Sequence, residues 1–155
     1  MLNVQLLKLG EFNACRRSNL KRFQRALDRD PRAKDRLALM QATPESDPAW
    51  FGISAVLHAE YGHQLRDFLD YLNHNGVENR PIIGGNFVRQ PCIRTFCQGV
   101  EDPGEFLGAE VLHTRGFFIG VHHLQTADEM LEKLVQIILD FPFRPQSGAG
   151  TAEEP

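Results

Sequence analysis

Cysteine, tryptophan and tyrosine are scarce in this 155-residue chain: three, one and two residues. The cysteines are Cys15, Cys92 and Cys97. Their odd number and loose spacing exclude a disulfide framework and a paired zinc knuckle, and point to reduced thiols in a cytoplasmic protein. Cys92 and Cys97 with His113 form the one conceivable metal set, without the CxxC or HxxxH spacing that would support it, so no metal is expected. No apolar stretch approaches the ~20 residues that span a bilayer. Met1 to Gln5 has no basic segment leading into a long apolar run, so no secretory signal is visible. Neither charge sign dominates: 17 Lys and Arg stand against 20 Asp and Glu, for a net −3. That gives no case for nucleic acid or an anionic membrane as partner. GxxxxGK[ST], GxSxG, HExxH and DxDxDG are all absent.

What is present fits one globular domain. Hydrophobic residues make up 42% and charged residues 24%, ordinary values for a folded chain. Leu2, Leu6, Leu9, Phe12, Leu20, Phe23 and Leu27 recur at helical steps and predict one long helix over 2–29, ended by Asp30-Pro31. Arg16, Arg17, Lys21, Arg22 and Arg25 crowd its middle, either as a solvated face or as a strip facing phosphates or an acidic partner. Residues 31–47 read as a connector with a short strand over 36–40. A strand over 50–57 follows, then a helix over 62–75 with Leu65, Phe68, Leu69 and Leu72 on one face. Gly76 suits the left-handed position after that helix. A strand over 77–83 carries Pro81, which places it at an edge or end.

Residues 87–108 look irregular. A short helix over 109–115 and a strand over 117–121 come next. Thr126-Ala127-Asp128-Glu129 reads as a capping box opening a helix to Asp140. The domain reading is a long interdomain helix over 1–30, a small C-terminal α+β domain over 31–142 and a disordered tail over 143–155. The fold expectation is α+β, a small, mostly antiparallel sheet with helices packed on one face.

Two segments could carry chemistry. In Asn79 to Pro91, Arg80, Asn86 and Arg89 accompany Gly84 and Gly85 in a loop after a strand. Arginine forks suit phosphate or carboxylate, and glycines allow close backbone approach. A plain turn with exposed arginines would have the same composition. In Gly116 to His123, a strand ends in His122 and His123. Adjacent strand side chains point to opposite faces, so only one of the pair is expected to face a given site. His58, His63 and His74 read as ordinary surface or helix residues. Trp50 and Phe51 read as core rather than as ring binders. The acidic pair Glu101-Asp102 reads as solvated.

The order of these pieces resembles a known family. Val4-Gln5-Leu6-Leu7-Lys8-Leu9-Gly10-Glu11-Phe12 with Arg16-Arg17 and Asn19 is similar to the QLxKLxEF…RRxN helix of the DegT/DnrJ/StrS family of pyridoxal-phosphate (PLP)-dependent sugar aminotransferases and dehydratases. Trp50-Phe51-Gly52, the turn from Gly76 to Arg80, and Gly116 to His122 resemble successive strands of that family's small C-terminal domain, over roughly residues 4–142. Arg80-Pro81, Gly85-Asn86 and Arg89-Gln90-Pro91 resemble the pyridoxamine-phosphate (PMP)-dependent 3-dehydratases of nucleotide-activated 4-keto-6-deoxyhexoses, which serve deoxysugar and lipopolysaccharide biosynthesis. The resemblance implies a nucleotide-activated sugar as ligand, with Arg80, Asn86, Arg89, His122 and His123 on the substrate side of an interdomain cleft. It also implies a PLP-binding large domain or homologous chain as partner, and a homodimer in the complete enzyme. The cofactor and the catalytic base would sit on that large domain, so no catalytic residue is assigned here and the chain by itself is expected to be inert. A non-catalytic sugar-nucleotide-binding or assembly module is the alternative.

Overall fold

The computed structural model describes residues 2–82, 84–97 and 102–146. The predicted first helix is two helices, α1 (Leu2–Leu7) and α2 (Leu9–Asp28). They meet at Lys8, whose N–H turns to the Gln5 carbonyl at 3.1 Å, one residue tighter than α-helical bonding. The apolar stripe of this segment is buried only in its second half. Phe23 and Leu27 lie in the core, whereas Val4, Leu6, Leu7 and Leu9 are exposed. A short helix α3 (Arg32–Arg36), which the sequence does not announce, leads directly into β1 (Leu37–Leu39).

β2 (Gly52–Leu57) and a 3₁₀ turn (Ala59–Gln64) precede α4 (Leu65–His74). Gly76 ends that helix with φ +77°, the left-handed conformation expected of it. The edge strand β3 is only Asn79–Pro81, shorter than the predicted 77–83, and Ile83 lies outside the described residues. The 87–108 stretch is more regular than its Pro and Gly content implies. It holds a 3₁₀ turn (Phe87–Arg89), α5 (Pro91–Phe96) and another 3₁₀ turn (Pro103–Glu105). Pro91 and Pro103 each open an element rather than break one, because a first-turn N–H has no helical acceptor to lose. Glu101 lies outside the described residues. α6 (Leu107–Arg115), β4 (Gly116–Gly120) and α7 (Asp128–Asp140) complete the chain.

The four strands form one antiparallel sheet in the order β1-β2-β4-β3. Cross-strand partners share a face, so the register sorts the side chains. Leu37 and Leu57, then Leu39, Ala55 and Phe117, then Ile53 and Ile119 fall on one face. That face is buried with Phe23 and Leu27 of α2, Phe68 and Leu72 of α4, and Leu131, Val135, Ile138 and Leu139 of α7. Phe68 is its centre, with ring centroids 5.3 Å from those of Phe117, Phe141 and Phe143. α2 packs on α7, and Arg22 of α2 holds Asp128 at the start of α7 at 2.5 Å.

Two expectations near α7 are corrected. The capping box does not form: Ala127 takes the cap position and no side chain caps the helix. Beyond the helix, Phe143 packs against Tyr61 and Phe68, and the Gln64 side-chain amide donates through Nε2 to the Arg144 carbonyl at 2.5 Å and accepts the Arg144 N–H at Oε1 at 3.1 Å. The chain is therefore pinned to the core past residue 142; positions 147–155 of the predicted tail lie outside the described residues.

Phe68→Ala removes the centre of this aromatic group. It should lower unfolding stability by about 3–5 kcal/mol, measured by urea denaturation. A loss below about 1 kcal/mol would contradict the packing described.

Candidate functional site

The sheet's second face carries Ala38, Val56 and Gly116, then Ser54, Phe118 and Arg80, then Gly52 and Gly120. Where β2 begins and β4 ends, this face meets a broad cleft of about 1120 Å³. Phe51, Phe118, Arg80 and Val77 line it from the sheet side; Met130, Lys133 and Leu134 line it from α7; His122 and Thr126 line it from the connecting loop. Phe51 is not the core residue expected of it. It is 64% exposed, and its ring stands edge-on to Phe118 with centroids 5.6 Å apart. Arg80 is exposed and bound to Glu78 at 3.1 Å.

The loop between β4 and α7 is held by a residue from the far end of the chain. Asn19, buried in α2, donates through Nδ2 to the carbonyls of His122 and Leu124 at 3.1 and 2.8 Å. Its Oδ1 accepts the Thr126 N–H at 3.1 Å. A buried amide so fully used stabilises one loop conformation, since any other would leave polar groups without partners. Within the loop, His122 Nδ1 accepts the Leu124 N–H at 3.1 Å. That bond selects the tautomer that carries its hydrogen on Nε2. The two histidines are not alternating strand residues, because β4 stops at Gly120. Their rings stack with centroids 4.6 Å apart. Only His122 lines the cleft; His123 packs edge-on to Phe12 of α2 at 4.6 Å.

Asn86 and Arg89 do not line this cleft; they form a second cluster with Glu110 of α6. Asn86 is fully buried. Its Oδ1 accepts the Val88 N–H at 3.1 Å, and its Nδ2 donates to the Pro103 carbonyl and to Glu110, both at 2.9 Å. Arg89 grips both Glu110 oxygens, through Nε at 2.9 Å and through a second nitrogen. Arg89, then Asn86, hold the Glu110 carboxyl down at about 2, and Glu110 in turn pushes the Arg89 guanidinium up. This arrangement ties the 84–91 loop to α6. Sequence reasoning picked out Asn86 and Arg89 but missed Glu110 as their shared partner; a glutamate inside a helix carries no motif.

The cysteines are free thiols, and among the described residues no three His, Cys, Asp or Glu side chains converge as a metal site. No helix among them is long and apolar enough to cross a membrane. The cleft does not fit pyridoxal phosphate as a self-contained site. Holding that ring requires a carboxylate at the pyridine nitrogen. The one carboxylate lining the cleft, Glu78, has an 82% exposed side chain and is not the enclosed partner that ring needs.

No family model matches the chain. It is 30% identical over 137 residues to the dTDP-4-dehydro-2,6-dideoxy-D-glucose 3-dehydratase of Saccharopolyspora spinosa, covering 88% of this chain and 28% of that protein. It is 32% identical over 127 residues to the GDP-4-keto-6-deoxy-D-mannose 3-dehydratase of Escherichia coli O55:H7, covering 81% of this chain and 31% of that protein. The structure of an E. coli GDP-4-keto-6-deoxy-D-mannose-3-dehydratase with bound hydrated PLP superposes with a TM-score of 0.69 at 27% identity, over 86% of this chain and 32% of that one. A mutant GDP-4-keto-6-deoxymannose-3-dehydratase with bound GDP-perosamine gives the same score at 29% identity, over 86% of this chain and 33% of that one. The chain is thus homologous to part of the nucleotide-4-keto-6-deoxyhexose 3-dehydratases, DegT/DnrJ-type enzymes, and spans about 30% of their length.

A carboxyl whose pKa is depressed in the folded state adds stability above its unfolded value, and loses it as pH falls through the folded one. Stability should therefore decline from about pH 5 toward pH 2. Glu110→Gln should flatten the Glu110 part of that decline, leaving the part due to Asp30, whose carboxyl Arg32 also holds low. Urea midpoints across that range check this; identical pH slopes in both proteins would contradict the Arg89–Glu110 pairing.

Proposed function

We propose that this chain is the substrate-side portion of a PLP/PMP-dependent nucleotide-4-keto-6-deoxyhexose 3-dehydratase, or of a related sugar aminotransferase. It binds the nucleotide-activated sugar and supplies no cofactor chemistry of its own. The observation that carries this reading is the pairing of a relationship confined to about 30% of each relative's length with a cleft that presents Arg80, Lys133 and His122 beside apolar walls. Arginine and lysine suit a diphosphate. An imidazole N–H suits a sugar or phosphoryl oxygen. Their work is binding and orientation, which brings a ligand into reacting geometry without moving a proton.

PLP, when bound elsewhere in the complete assembly, supplies the electron sink that the elimination requires. This chain's residues hold and orient the sugar nucleotide toward it. Asn86 and Arg89 enter only through the brace on Glu110, outside the cleft. His123 keeps the ring of His122 in place by stacking. The partner is a PLP-binding domain or a homologous chain, and the working form is a cytoplasmic homodimer.

A second reading, a non-catalytic assembly module, is favoured by the exposed apolar start of the first helix pair, Val4, Leu6, Leu7 and Leu9. Contiguous exposed apolar surface invites association.

Calorimetric titration of the purified chain with GDP- and dTDP-linked 4-keto-6-deoxyhexoses, with PMP present, separates these readings. Saturable binding is expected without formation of the 3-deoxy product. Arg80→Ala should weaken it about tenfold, the cost of one charge-assisted contact. Product formation would overturn inertness. Absence of binding heat would overturn the substrate-side reading in favour of assembly.

A further inference from the structure

We propose, resting on the reading that the cleft takes a nucleotide-activated sugar, that Phe51 and Phe118 are the platform for its nucleobase and that Arg80 and Lys133 take its diphosphate. The chain would then bind nucleoside diphosphates by itself, whatever sugar is attached.

The argument starts at Gly52. A Cβ there would stand 2.7 Å from the Phe118 ring carbon Cδ2, so Phe118 lies close over the β2 backbone only because position 52 has no side chain. Its cross-strand partner is Gly120, where an added Cβ would meet nothing within 4 Å. The Phe118 ring thus covers Gly52, and Gly120 leaves open space beside it. Phe51 bounds that space, 64% exposed and met edge-on by Phe118.

Exposed aromatic faces accept flat rings, and stacking tolerates different bases because every base has a π-face. Arg80 is the cross-strand partner of Phe118, which sets a guanidinium beside the platform. Lys133 lines the same cleft from α7. The Arg80–Glu78 pair is no obstacle: its side chains are 65% and 82% exposed, and such pairs are weakly held. A diphosphate offers Arg80 more charge and a better bidentate match than Glu78 does. An aromatic pair with a guanidinium beside it, in a cleft that a lysine also lines from α7, matches a nucleoside diphosphate better than a free sugar or a peptide.

Calorimetry with GDP, dTDP, inorganic pyrophosphate and guanosine tests this on the full chain. The wild-type chain should bind both nucleoside diphosphates, and each more tightly than pyrophosphate. Phe51→Ala should weaken GDP binding about tenfold or more, as loss of one stacked ring does. Phe51→Tyr, which keeps the ring, should bind within about threefold of wild type. Arg80→Ala should weaken GDP far more than guanosine. Phe51 is exposed, so its variants should fold; circular dichroism confirms this before titration. Unchanged GDP affinity in Phe51→Ala, or pyrophosphate binding as tight as GDP, would overturn the platform while leaving the sugar-nucleotide reading intact. Binding of the nucleotide-linked ketosugars without binding of GDP or dTDP would do the same. Failure of all nucleotide ligands would overturn both.

Discussion

Side chains on a strand alternate, so burying one set of residues fixes where all the others go. Here the buried set is Leu37, Ile53, Ala55, Leu57, Phe117 and Ile119, with Phe68 of α4 against Phe117 at its centre. A register slip of one residue would exchange this face for Phe118, Ser54, Gly52 and Arg80, and no slipped arrangement could bury an equivalent core. The helices α2, α4 and α7 all pack on the same side for that reason. Arg80, Phe118 and the two facing glycines are consequently committed to the open side. The candidate site draws on both sides: Phe118, Gly120 and Arg80 line the cleft from the open face, and Ile53, Ile119 and Leu131 line it from the edge of the core.

Polar groups then fix what apolar packing leaves free. Asn19 joins α2 to the loop after β4 across more than a hundred residues of sequence. It thereby sets the backbone from which His122 and Thr126 reach the cleft. Glu110 does the same for the 84–91 loop through Asn86 and Arg89. Two of the five basic residues of the α2 strip make similar ties, Arg17 to Asp47 and Arg22 to Asp128. Exposed ion pairs of this kind stabilise little, but they restrict how α2 meets the connector and α7.

Much of this architecture was legible in the sequence. The helical steps of α2, α4 and α7, the edge position of the strand bearing Pro81 and the left-handed Gly76 all follow from local rules. So does the α+β class, and the ordered motifs led to the dehydratase relationship. What was illegible depends on distant partners. The capping box at Thr126 does not form because α7 starts one residue later, with Ala127 at the cap position, while Asn19 holds the Thr126 N–H. Phe143 is held in the core by Phe68 and Tyr61, which local composition cannot announce. The stretch after Phe87 looked irregular because prolines were read as breakers, although they start its short elements. Among the site residues, Arg80 and His122 share the cleft, while Asn86 and Arg89 sit in the Glu110 cluster. Phe51 looks like core because its β-rich neighbourhood is core and alternation would set it with Ile53; it precedes β2, outside the paired register, and stands exposed at the end of the sheet.

The most direct test of the account is amide chemical-shift mapping of the whole chain during titration with a GDP-linked 4-keto-6-deoxyhexose. The account predicts that the largest changes fall on 51–53, 78–80 and 118–126, the strand ends and loop that border the cleft, with the amides of α1 and the first turns of α2 unmoved. Changes confined to those N-terminal helices, or no saturable change anywhere, would contradict it.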